Sequence, residues 1–134
     1  EDCKFALTET TLGIPPAQIA PFVAQRIGLA KARRIMLTAA RFTGKEAFEM
    51  GLADFIAKDA NDLKNIESDI IKGVMNCAPG ANAITKEIVL ATRHLERSEM
   101  IDFAAKGFAE RMLSDEGREG IASFIEKRKP KWSK

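Results

Sequence analysis

The stretch LTAARFTGKEAFEMGLAD, residues 37–54, decides how the rest of the chain is read. Thr43 followed three residues later by Glu46 matches a capping box, and Gly51 supplies a stop, so TGKEAFEMG is expected to be a very short helix. Upstream, LAKARRIMLTAARF reads as a longer helix with Ala32, Ile35, Met36 and Ala39 on one stripe and the arginines elsewhere. Downstream, LADFIA, residues 52–57, reads as a short strand.

Toward the N-terminus, residues 4–12 alternate. Phe5, Leu7, Glu9 and Thr11 fall on one side of an extended chain, and Ala6, Thr8, Thr10 and Leu12 on the other. Such alternation with β-branched threonines is strand chemistry. Gly13 and then Pro15-Pro16 end it, and Pro16 suits a first helical turn, where a missing N–H costs nothing. AQIAPFVAQRIG is then a helix closed by Gly28, with Pro21 in its first turn or bending it.

Toward the C-terminus the chain reads as wholly helical, which puts an internal boundary near Lys58. Leu63, Ile66, Ile70, Val74 and Cys77 make one amphipathic face, and Pro79-Gly80 breaks it. A further helix carries Ile84, Ile88, Ala91 and Leu95. Ser98 is placed to cap the next, with a stripe of Ile101, Ala104 or Ala105, Phe108 and Met112. Ser114 opens a last helix with Ile121, Phe124 and Ile125, closed by Pro130. The fold class is therefore mainly α with two short strands. Two such strands do not make a stable sheet alone.

The 134 residues are 46% hydrophobic and 30% charged, an ordinary globular composition with room for one modest core. Lys and Arg number 21 against 19 acidic residues, and a net charge of +2 gives no argument for nucleic acid as a partner. Cys3 and Cys77 are far apart, outside any CxxC or Cys/His cluster. They read as small core residues in a reducing compartment, with no structural metal. No apolar run approaches the roughly 20 residues of a membrane span, and no signal peptide opens the chain. The expected location is the cytoplasm.

Three segments carry a family resemblance. FALTETTLG, residues 5–13, is similar to the strand that bears the second catalytic glutamate of the crotonase, or enoyl-CoA hydratase, family. LTAARFTGKEAFEMGLAD resembles that family's LTG-x-x-h-x-A-x-x-A-x-x-x-GL-V segment. EGIASFIEKRKP, residues 119–130, resembles its EG-x-x-AF-x-EKR-x-P ending. The match runs in order through nearly the whole chain. It implies the C-terminal half of a crotonase-like α/β fold, with residues 1–57 closing the core and residues 58–134 forming a helical region that oligomerises, as a trimer or paired trimers, and contacts coenzyme A.

The resemblance further implies an enzyme in which two peptide N–H groups hold a thioester oxygen and two glutamates hold a water that adds across a double bond. Only the second glutamate, Glu9, lies in this chain. The strand with the first glutamate and both oxyanion-hole amides would precede residue 1, so the 134 residues alone are expected to be inactive. Coenzyme A is part of the substrate, and no separate cofactor is implied. The segment TETTLGIPPAQIAPFV resembles the branch acting on glutaconyl-type thioesters, such as isohexenylglutaconyl-CoA and methylglutaconyl-CoA. Isomerases and thioester hydrolases share the architecture, and a helical module without catalysis is the reading from another class.

The residues themselves support part of this. On a strand, Glu9 shares a face with Phe5 and Leu7, which withdraws its carboxyl from water and suits a group that must hold a proton; a surface glutamate on an edge strand is the plain alternative. Ala17 offers the first free amide after two prolines, at a helix start suited to a water, and otherwise only initiates the helix. Many hydratases have PGAGGTQRL where this chain has PPAQIAPFV. By resemblance, Lys127 and Phe108 meet the adenosine phosphate end of coenzyme A bound by a neighbouring subunit; a solvated tail and core packing are their respective alternatives. His94 is expected on a helix surface. Asp115, Glu116 and Glu119 suit the macrodipole of the last helix and need no catalytic role.

Overall fold

A computed structural model describes residues 1–133. Two strands and seven helices follow in the order β1 (Lys4–Ala6), a 3-10 turn (Glu9–Leu12), α1 (Ala20–Ile27), α2 (Leu29–Leu37), β2 (Arg41–Thr43), α3 (Gly44–Met50), α4 (Ala60–Met75), α5 (Pro79–Ala91), α6 (Arg97–Met112) and α7 (Asp115–Ile125). The chain divides into two compact units, Glu1–Glu67 and Ser68–Lys134, with the division inside α4.

In the first unit, β1 and β2 pair antiparallel, Phe5 facing Phe42 across the ladder. The pairing corrects two expectations. The first strand stops at Ala6 instead of running to Leu12, and the second is Arg41–Thr43, inside the stretch read as the end of a helix, while residues 52–57 form no strand. The cause is Ala39. Its φ of 50° ends α2 in a left-handed residue, with Ala39 N–H donating to Met36 O (3.4 Å) and Ala40 N–H to Ile35 O (2.8 Å). That is a Schellman motif on an alanine, and it turns the chain into β2.

The core forms where α1, α2, β2 and α3 meet: Ile27, Ala32, Ile35, Met36, Phe42 and Ala47 are buried, with Phe5, Leu7, Val23 and Leu52 packed against them. The expected α2 stripe is thus the buried one, apart from Ala39. The capping box on α3 is present, Thr43 N–H donating to Glu46 Oε2 (2.7 Å) and Glu46 N–H to Thr43 Oγ1 (3.3 Å). Those bonds from Thr43 hold the Glu46 carboxyl below its ordinary range. Pro21 lies in the first turn of α1.

In the second unit, Pro79 starts α5 and caps no preceding helix. Glu116 at the head of α7 accepts the Gly80 N–H (2.9 Å to Oε2), so one carboxylate serves the N-termini of two helices. α6 and α5 pack at Gly107, where a Cβ would sit 2.8 Å from Ile84 Cγ2. The cap of α6 is Glu96 in a box with Glu99, not Ser98, and Ser114 caps α7 as expected. Cys3 and Cys77 are both exposed, which corrects their assignment to the core: each lies outside the regular elements, ahead of β1 and after α4. His94 is exposed, in the turn that follows α5. No described helix is long and apolar enough to cross a membrane.

Candidate active site

Glu9 does not sit on a strand face with Phe5 and Leu7. It opens the 3-10 turn, which Gly13 closes at φ 75° with its N–H on Thr10 O (3.2 Å), while Ile14 N–H reaches back to Glu9 O (3.3 Å). The left-handed residue is a glycine because the chain must reverse there without a Cβ penalty. Thr10 Oγ1 donates to Met36 O (3.1 Å), which fastens the turn to the last turn of α2.

The turn presents the Glu9 carboxyl to a cavity of about 240 Å³ lined by Glu9, Pro15, Pro16, Ala17, Gln18 and Ile19. Glu9 Oε2 is buried and has no hydrogen-bond partner among the described residues. An unsatisfied buried carboxyl oxygen is costly and leaves its bonding capacity uncommitted. The turn, not strand packing, is what covers this one oxygen of a half-buried residue.

The structure brings Ala17 to the same cavity but corrects its state. Its N–H is not free: it donates to Pro15 O (2.8 Å), a three-residue turn for which the fixed φ of Pro16 at its centre is suited, and α1 starts three residues later at Ala20. The N–H groups of Gln18 and Ile19, which the sequence reading passed over, donate to no backbone carbonyl among the described residues. The signal for them was available, since two prolines displace the helix start beyond the residue that follows them.

Phe108 and Lys127 belong to the second unit. Phe108 is 67% exposed, so core packing does not explain it, and it borders a largely apolar cavity of about 280 Å³ with Ile84, Ile88, Arg111 and Met112. Lys127 is exposed and adopts φ 53° directly after α7, a second Schellman turn in which Lys127 N–H donates to Phe124 O (3.3 Å) and Arg128 N–H to Ser123 O (3.0 Å). A lysine held where glycine is usual carries a backbone cost of about 1 kcal/mol. Such outliers gather at functional positions. Among the described residues no group of three or more His, Cys, Asp or Glu side chains could hold a metal ion.

All 134 residues match the enoyl-CoA hydratase/isomerase family. The chain belongs to that family. Among solved structures, the AtuE protein of Pseudomonas aeruginosa superposes with a TM-score of 0.96 at 49% identity over 99% of this chain and 52% of its own. An enoyl-CoA hydratase/isomerase of Marinobacter aquaeolei gives 0.93 at 40% identity over 98% of this chain and 50% of its own. A peroxisomal Δ(3,5)-Δ(2,4)-dienoyl-CoA isomerase of Arabidopsis thaliana is 30% identical over all of this chain and 49% of its own length. A carnitinyl-CoA dehydratase of Proteus mirabilis is 31% identical over 98% and 52%. The chain spans about half the length of the relatives it matches, and its fold is that of the corresponding part of enoyl-CoA hydratases. An isomerase and a dehydratase stand within one per cent of each other in identity, so identity fixes the family and not the reaction.

Proposed function

We propose that this chain supplies the C-terminal part of an enoyl-CoA hydratase-like enzyme that adds water across the α,β double bond of an acyl-CoA thioester, with an acyl group of glutaconyl type. The observation that carries the reading is the Glu9 carboxyl, aimed into a cavity with one oxygen buried and uncommitted. Hydration needs a group there that exchanges a proton with water as its oxygen bonds the β-carbon and the α-carbon takes a proton. The second carboxyl and the oxyanion-hole donors would come from the portion that the longer relatives possess. The glutaconyl assignment rests on the TETTLGIPPAQIAPFV resemblance.

Ala17 acts in this reading through the turn it closes, which sets the Gln18 and Ile19 amides at the cavity edge, in place of donating itself. Phe108 and Lys127 meet the adenine and phosphate end of coenzyme A from a neighbouring subunit of a trimer or paired trimers, and the setting is cytoplasmic. Exposure of both side chains and the strained Lys127 backbone support that role.

The test uses the intact protein with enoyl-CoA and glutaconyl-CoA substrates. Glu9→Gln is expected to lower kcat by roughly 10²–10⁴-fold with coenzyme A binding kept. Undiminished hydration in that variant removes Glu9 from the mechanism. Shifting of the double bond without net addition of water would move the enzyme to the isomerase reading that the Arabidopsis relative favours. The 134-residue chain by itself is expected to show no turnover.

A further inference from the structure

Glu119 stands at one end of the EGIASFIEKRKP segment and Arg128 near the other, and the structure joins them. Arg128 Nη1 donates to Glu119 Oε1 at 2.6 Å and Nη2 to Oε2 at 3.1 Å, a two-pronged pair of the strong, directional kind. The same carboxylate accepts the Lys131 N–H (3.0 Å), and its side chain is only 13% exposed. Arg128 Nε further meets Glu126 Oε2 (2.5 Å). Beyond it, Trp132 Nε1 donates to Asn76 O (3.3 Å) and Ser133 Oγ to Asn76 Oδ1 (2.7 Å).

The backbone on both sides of Lys127 is therefore held. The Schellman turn fixes it from α7, and the Arg128 and Lys131 bonds to Glu119 hold the segment from residue 128 to residue 131. The charges sort in consequence. Arg128 is consumed by two carboxylates, whereas Lys127 and Lys129 form no ion pair among the described residues. Two ammonium groups without ion-pair partners thus lie two residues apart on a segment whose backbone is already held, so little ordering would remain to be done on binding an anion.

We infer that Glu119 is a positioning residue: by clamping Arg128 and the Lys131 amide it sets Lys127, with Lys129, for the phosphate groups of the coenzyme A nucleotide. The inference rests on the reading of Lys127 given under Proposed function and names what makes that lysine effective.

The experiment compares two substrates of the intact protein, an acyl-CoA and the same acyl thioester of pantetheine, which lacks the nucleotide. Glu119→Gln is expected to raise KM for the acyl-CoA about tenfold with kcat changed less than twofold, and to leave the pantetheine thioester unaffected. Glu119→Asp should recover part of the loss. Unchanged kcat and KM on the pantetheine thioester in Glu119→Gln separate lost positioning from misfolding. A Glu119→Gln effect equal on both substrates makes the residue merely structural and overturns the inference. So does an unchanged KM for acyl-CoA in Glu119→Gln when Lys127→Ala raises it. If Lys127→Ala also leaves KM unchanged, the reading of Lys127 itself fails and the inference falls with it.

Discussion

Phe5 and Phe42 stack face to face, their ring centroids 5.4 Å apart and their planes 4° from parallel. They are direct partners across the β1–β2 ladder, and Phe42 is 7% exposed while Phe5 is half-buried. The stack pins the register of a sheet with only two strands, and Glu9 leaves that sheet three residues after Ala6. Position and stability of the site thus share one contact.

Phe42→Ala removes a buried ring and, with it, the stacking on Phe5. The expected cost is about 3–5 kcal/mol in the first unit, read as a lower midpoint in denaturant titration. Phe42→Leu, which keeps most of the volume, should cost less than half as much. Equal losses in the two variants would deny the stack its role.

Ala39 and Lys127 make a matched pair of backbone outliers with opposite expectations. The family pattern has glycine at the position of Ala39, and this chain keeps alanine at φ 50°. Ala39→Gly should stabilise by up to about 1 kcal/mol, since relief of the left-handed strain outweighs the added freedom of the unfolded chain. Lys127→Gly should stabilise by a similar amount and weaken coenzyme A binding. Thermal midpoints measured beside binding isotherms separate the two.

How far the sequence could be read is shown by the same residues. The capping box at Thr43 and Glu46, the buried stripe of α2 and the Ser114 cap were legible because each is a local rule between residues a few positions apart. The strand at Arg41–Thr43 was not, because it depends on one alanine taking a conformation that alanine seldom takes, and nothing local announces that. Glu9 stands out in the sequence by resemblance and by its apolar neighbours, but the turn that carries it does not. Alternation continues through residues 7–12, whereas the turn is set by the left-handed Gly13 and by the bond from Thr10 to the distant Met36. Glu119 and Arg128 stand nine residues apart, one on α7 and one in the irregular segment after it, where no periodicity relates them.

Thr43→Ala should destabilise α3 by about 1 kcal/mol, because it loses the hydroxyl that accepts the Glu46 N–H. Thr43→Ser should recover most of it. Hydrogen exchange at the Glu46 amide gives the local measure.

Acid should loosen the tail segment. The Arg128 guanidinium, ahead of the Lys131 amide and the lysine charge, holds the Glu119 carboxyl at about 2, against an ordinary value of 4.5. A carboxyl depressed in the folded state contributes stability that is present in full above its unfolded value, so the contribution declines below about pH 4.5 and is gone below about pH 2. Trp132 fluorescence, which reports that segment on Asn76, should change over this window, and Glu119→Gln should abolish that acid-linked component. High salt should shrink it, because the Arg128 side chain is 39% exposed even though that of Glu119 is 13% exposed.

The Thr10 hydroxyl binds a carbonyl of the last turn of α2, one that the helix end itself meets only through the long 3.4 Å bond from the Ala39 N–H. The glutamate-bearing turn is therefore moored to the part of that helix most apt to fray. Warming the protein should blur the aim of Glu9 before the core melts, so that heat inactivation precedes heat unfolding. Any change that tightens the end of α2, Ala39→Gly among them, would then widen the temperature range of the chemistry more than that of the fold.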